Sequence, residues 1–158
     1  MSQLDLTAFN KNLEFKLNTD RLTDKTMYAD AISIKRAILN IIFNAISFSA
    51  ENGNINIDIS TENNNLRLIT KVKTLKTQDT KDDFKEFFSK YTVEKNPYKQ
   101  VWTGIGLYLA KVIIENYNGK ILYDIIKDDK DYDFYKFGFE MPLNNEKLNN
   151  KVFKINYL

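Results

Sequence analysis

Leu39-Asn40-Ile41-Ile42-Phe43-Asn44-Ala45 lies inside a long apolar-periodic run, and Thr103-Gly104-Ile105-Gly106-Leu107 stands at the mouth of a second one further along the chain. A helical residue turns the chain by about 100°, so Asn40 and Asn44 share one side, one turn apart, beside Ile41 and Ala45. Ser33, Ala37, Asn40, Asn44 and Ser47 extend this into a stripe of small or polar residues. It runs alongside an apolar face of Ile34, Ile38, Ile41, Ala45 and Phe48.

Such a stripe places carboxamide oxygens at the edge of an apolar floor. That arrangement suits a hard cation such as Mg²⁺, which keeps several waters and accepts phosphate oxygens. The glycines of the second segment allow close backbone approach, and amides at a helix start favour a phosphate through hydrogen bonds and the helix dipole. Each segment also has a plain structural reading, the first as the polar shoulder of an amphipathic helix, the second as an ordinary loop-to-helix junction. Their joint occurrence, in this order, is what points to a nucleotide and its metal.

The intervening pattern supports the pairing. Asp30 is a candidate N-cap for a helix running to about Ser49, and Asn52-Gly53 ends it. Leu13 to Leu17 alternates as a half-buried strand would. Asn54 to Ser60 alternates with Ile55, Ile57 and Ile59 on one side, and the polar cluster Glu62 to Asn65 reads as a hairpin loop into Leu66, Leu68 and Val72. Lys73 to Trp102 reads as a long loop carrying one short amphipathic segment with Phe84, Phe87, Phe88 and Tyr91. Gly104 to Tyr117 reads as a second long helix stopped by Asn118-Gly119, followed by strands through Ile121, Tyr123 and Ile125 and through Phe137, Phe139 and Met141. The expected fold is an α/β sandwich (α+β), a mixed, largely antiparallel sheet covered on one face by the two helices. Residues 1–143 form the expected domain and 144–158 a polar linker or tail, with 151–158 open as a short extra strand or the start of a following domain.

Composition narrows the chemistry. The 158 residues suit one domain with a single core, 43% of them being hydrophobic. There is no cysteine and no histidine, which removes disulfides, thiolate chemistry and the commonest general base. The net charge of +2 comes from interspersed charges and calls for neither nucleic acid nor anionic lipid. No signal-peptide pattern or membrane-spanning run is read, so the expectation is a cytoplasmic domain without membrane contact.

Ile38 to Ile46 resembles the N box, Phe84-Lys85-Glu86-Phe87-Phe88 the F box, and Thr103-Gly104-Ile105-Gly106-Leu107 the G2 box of the catalytic ATP-binding domain of sensor histidine kinases. That domain has the Bergerat fold and belongs to a superfamily that also holds type II topoisomerase, Hsp90 and mismatch-repair ATPases. The resemblance covers roughly Leu13 to Leu143. It implies that Asn44 is the catalytic metal ligand for Mg²⁺ and that Asn40 lies near the phosphates of ATP. Ser47 and Phe48 stand where the family often has a lysine and a tyrosine. Thr103, Gly104, Ile105, Gly106 and Leu107 would close over the triphosphate beneath a lid formed by Lys73 to Trp102.

The chain departs from the family where an Asp-x-Gly-x-Gly segment is expected, since it has Thr74-Leu75-Lys76-Thr77-Gln78. Thr74 then stands where the adenine-binding aspartate should be. A hydroxyl accepts a hydrogen bond worth about 0.5–1.5 kcal/mol, against about 1.5–3 kcal/mol for a charged acceptor. Lys76 and Gln78 replace the glycines. Asp79, Asp82 and Asp83 read as a charged lid segment or as a substitute carboxylate, and Trp102 as a base-stacking ring or a cap on the core. By resemblance the partners are a phosphoacceptor histidine on a separate domain and a response regulator, and the kinase is incomplete without that acceptor. Two other readings stay open: a degenerate domain that has lost ATP and serves as a protein-interaction module, and a stand-alone anti-sigma-factor serine kinase.

Overall fold

The structure, a computed structural model, describes residues 11–23, 26–75, 88, 105–127, 131–143 and 152–154. The short helix expected around Phe84 to Tyr91, apart from Phe88, lies outside the described residues, as do Lys76, Gln78, the three aspartates Asp79, Asp82 and Asp83, and Trp102.

Helix α1 (Ala31–Phe48) begins where the sequence places it. The Asp30 carboxylate accepts from the Ser33 amide at 2.9 Å and from the Ser33 hydroxyl at 2.8 Å, satisfying one of the donors that a helix start leaves without a partner. Its buried face is Ile34, Ala37, Ile41, Ala45 and Ile46. The helix is long and apolar enough by composition to cross a bilayer, which the sequence reading did not anticipate. Its apolar face instead belongs to the core between helices and sheet.

The last turn of α1 has no basic residue of its own. Its carbonyls are satisfied from a distance: the Lys11 ammonium donates to the carbonyls of Ile46 at 3.0 Å, Ser47 at 2.8 Å and Ser49 at 2.8 Å. Thr74 Oγ1 donates to the Phe48 carbonyl at 2.9 Å. The helix end is therefore closed by side chains, one of them a cation placed where the helix dipole favours it.

Strands β1 (Glu14–Asn18), β3 (Asn54–Glu62), β4 (Asn65–Leu75), β5 (Lys120–Lys127) and β6 (Tyr132–Pro142) form a sheet in the order β1-β3-β4-β6-β5. Strand β1 runs parallel to β3 and the other pairs are antiparallel. Strand β2 (Thr26–Tyr28) pairs antiparallel with β7 (Val152–Lys154) in a separate ribbon, so part of the expected tail contributes a strand. The β3–β4 hairpin turns through Asn63 and Asn64 at φ 48° and 63°, between the paired Glu62 and Asn65. Two consecutive positive φ values belong to a type I′ turn, which asparagine tolerates.

Helix α2 (Ile105–Asn116) lies beside α1, and the two share one face of the sheet. It ends through Asn118 at φ 58°, with the Gly119 amide donating to the Ile114 carbonyl at 2.9 Å. Gly119 is required for a different reason: a Cβ there would stand 2.7 Å from the Glu140 carbonyl oxygen and 2.6 Å from Ile114. The Tyr117 hydroxyl accepts from the Asp30 amide at 3.0 Å, tying the end of α2 to the start of α1.

The inner face of the sheet follows from the register. Ile55, Val72 and Tyr135 lie side by side, as do Ile59, Leu68 and Phe139. Phe48 of α1 sets its ring edge-on to Tyr135 and Phe137, both at 5.8 Å. Phe137 and Phe139 are fully buried, and burying such a side chain contributes about 1.5–3 kcal/mol. Strand β1 differs from the half-buried expectation. All five of its residues are exposed, Phe15 at 44% and Leu17 at 55%. It occupies the sheet edge and packs chiefly on β3, so its alternation has no helix above it to bury.

Candidate functional site

Asn40 and Asn44 project from the middle of α1 toward the first turn of α2. The Asn44 carboxamide nitrogen donates to the Asn40 backbone carbonyl at 2.6 Å. That bond fixes the side chain and leaves the Asn44 carbonyl oxygen as its remaining ligand group, an acceptor of the kind Mg²⁺ takes. The Asn40 carboxamide nitrogen is buried and has no hydrogen-bond partner among the described residues. A buried amide donor left this way costs about 1–3 kcal/mol, and a phosphate oxygen would satisfy it.

Gly106 brings the two segments together. A Cβ at this position would stand 3.1 Å from Asn44 Nδ2 and 3.5 Å from Asn40 Oδ1. The missing side chain is what lets the start of α2 sit against both asparagines, where first-turn amides lack partners within their own helix. Ile105 is partly buried and Leu107 is in the core, so these two residues have only backbone to offer a ligand. Thr103 and Gly104 lie outside the described residues.

The residues expected toward the base end behave differently. The Ser47 hydroxyl donates to the Phe43 carbonyl at 2.8 Å within its own helix. The Phe48 ring packs on Tyr135 and Phe137. Thr74 is on the inner face of β4, where its hydroxyl hydrogen is committed to the end of α1. The strand runs to Leu75, beyond the end expected near Val72. Of the F box, Phe88 is 4% exposed and stacks on Tyr123 with ring centres 6.0 Å apart.

Two polar groups escaped the sequence reading. Lys11, which clamps α1, is more than thirty positions from its acceptors and carries no local signature. Asp133 pairs across the ladder with Thr74 and is 9% exposed. Its place was readable, since it keeps the inward parity of Tyr135, Phe137, Phe139 and Met141. Burial pushes the Tyr135 phenol up from its ordinary pKa, and the charge of Asp133 pushes it further the same way. Among the described residues no group of three acidic, histidine or cysteine side chains could hold a metal. A cation at Asn44 would thus share its coordination with the oxygens of a bound phosphate.

Solved structures share this architecture. The catalytic domain of histidine kinase ThkA in a nucleotide-free form superposes with a TM-score of 0.62 at 24% identity, over 91% of this chain and 88% of that one. A second nucleotide-free form of the same domain, with 1,2-propanediol, gives 0.63 at 25% identity, over 89% and 86%. The mycobacterial sensor histidine kinase MprB gives 0.64 at 16% identity, over 88% and 90%. No curated protein matches the chain significantly. The family described as histidine kinase-, DNA gyrase B-, and HSP90-like ATPase matches residues 29–145, a span that holds both asparagines, Gly106 and the four central and outer strands β3 to β6. With the sequence match and the fold in agreement over that span, the chain belongs to this ATPase family.

Proposed function

We propose that the chain is the ATP-binding catalytic domain of a two-component histidine kinase, presenting Mg-ATP to a histidine on a separate domain. The observation that carries this is the convergence of Asn40, Asn44 and Gly106, with a buried carboxamide donor that lacks a protein partner. Asn44 would hold the cation through its side-chain oxygen, and Asn40 and the first-turn amides of α2 would hold phosphate oxygens. Mg²⁺, when bound, neutralises charge on the phosphates. The chain's own part is to hold the γ-phosphoryl group so that an incoming imidazole nitrogen lies in line with the departing ADP oxygen, since this chemistry depends on positioning and electrostatics.

The chain contains no histidine, so the acceptor comes from elsewhere. ThkA has been solved in complex with the response regulator TrrA, and this chain matches that kinase at 24% identity. By extension, a response regulator takes the phosphoryl group from the acceptor histidine, and the domain works in the cytoplasm, where ATP is available. The reading as an interaction module that has lost ATP draws on one observation, the engagement of the Thr74 hydroxyl with the Phe48 carbonyl. Calorimetric titration with a non-hydrolysable ATP analogue and Mg²⁺ separates the two. Saturable heat that Asn44→Ala removes supports the kinase reading; a parent chain that gives no heat points to the interaction module.

A further inference from the structure

We infer that Asp133 supplies the carboxylate that receives the exocyclic amino group of adenine, from β6 rather than from the β4 position occupied by Thr74. This rests on the nucleotide reading above and adds the residue that would choose the base. Thr74 and Asp133 are direct partners in the antiparallel β4–β6 ladder. Side chains of such partners stand on the same face about 4.5–5.5 Å apart at Cβ. A carboxylate on β6 thus enters the same space as one on β4 would, at the strand end beside the close of α1.

The surroundings favour a ligand role. Asp133 heads a row whose next inward members are Tyr135, Phe137, Phe139 and Met141, all buried. An acid in such a row is costly to bury unless something there uses its charge. The upward push on the Tyr135 phenol shows that its charge is felt on this face. Beside it, Thr74 has turned its hydrogen to the Phe48 carbonyl and presents only oxygen lone pairs. The pair therefore offers a charged and a neutral acceptor, matching a base edge that donates from an amino group. Phe48 and Tyr135 supply apolar surface next to it.

The test compares Mg²⁺ complexes of ATP and inosine triphosphate, which carries an oxygen in place of the adenine amino group. The parent chain should bind ATP at least about tenfold more tightly, and Asp133→Ala should weaken ATP about tenfold while leaving the inosine nucleotide within about twofold. Asp133→Asn, which keeps the shape and removes the charge, should lose about fivefold, and it serves as the readout if the alanine variant melts at room temperature. The double exchange Thr74→Asp with Asp133→Thr should recover preference for ATP. Equal binding of the two nucleotides by the parent, or full discrimination retained in Asp133→Asn and Asp133→Ala, overturns the inference and leaves the nucleotide reading intact. Binding of neither nucleotide overturns both.

Discussion

The two halves of the candidate pocket treat their polar groups in opposite ways. Around the middle of α1, Asn40 keeps a buried donor without a partner, and Gly106 keeps a side chain out of the way. Around the end of α1, the carbonyls of Ile46, Ser47, Phe48 and Ser49 all have side-chain donors, from Lys11 and Thr74. The first arrangement holds stability in reserve for a ligand, and the second gives stability to the fold. Substitutions at the two places should therefore part binding from folding.

The largest effect is expected at Asn44. Asn44→Ala removes the oxygen assigned to the cation but only one hydrogen bond, to the backbone of its own helix. Mg-dependent nucleotide affinity should fall about a hundredfold, near 2.7 kcal/mol, with the thermal midpoint unchanged or slightly raised because alanine favours helix. A similar loss of binding together with a large fall in midpoint would place Asn44 in the folding machinery and erase the contrast.

Lys11→Met should do the reverse. The methionine keeps most of the apolar stem and removes an ammonium that serves three carbonyls. Urea denaturation should show a loss of about 2–3 kcal/mol, since charged hydrogen bonds contribute about 1.5–3 kcal/mol each and do not add fully. Nucleotide affinity measured well below the transition should stay within about twofold, because the clamp lies at the far end of the helix from Asn40. Thr74→Val is expected to cost less, about 1–2 kcal/mol, by leaving the Phe48 carbonyl without its donor.

The contrast also explains what could be read in the sequence. Local rules placed α1, because the Ile34, Ile41, Ala45 period and the Asp30 cap lie within a few residues of what they determine. The Asn63-Asn64 turn and the Asn118 helix end were equally local. The asparagine-glycine pair was legible because a ligand would constrain both segments at once. Other features were not. Whether Phe15 and Leu17 are covered depends on β1 being an edge strand, which alternation alone does not reveal. The β2–β7 ribbon joins segments from opposite ends of the described chain. The Lys11 clamp and the Thr74–Asp133 partnership depend on three-dimensional register, so no window of sequence contains them.

The smallest and most discriminating effect is expected at Gly106. An alanine Cβ would stand 3.1 Å from the Asn44 carboxamide nitrogen, tighter than an ordinary contact, so one side chain or one helix must give by a few tenths of an ångström. Gly106 is a helical residue without positive φ, so alanine has no backbone penalty there and should gain about 0.5–1 kcal/mol in helix stability. Displacing Asn44 by so little should weaken Mg-nucleotide binding by only about threefold. The two changes have opposite signs: the midpoint rises while affinity falls. If Gly106 were merely a permissive junction, Gly106→Ala would raise the midpoint and leave affinity alone; if it were needed for the fold, both would fall. Only a site kept open against the preference of its own helix gives a more stable protein that binds less well.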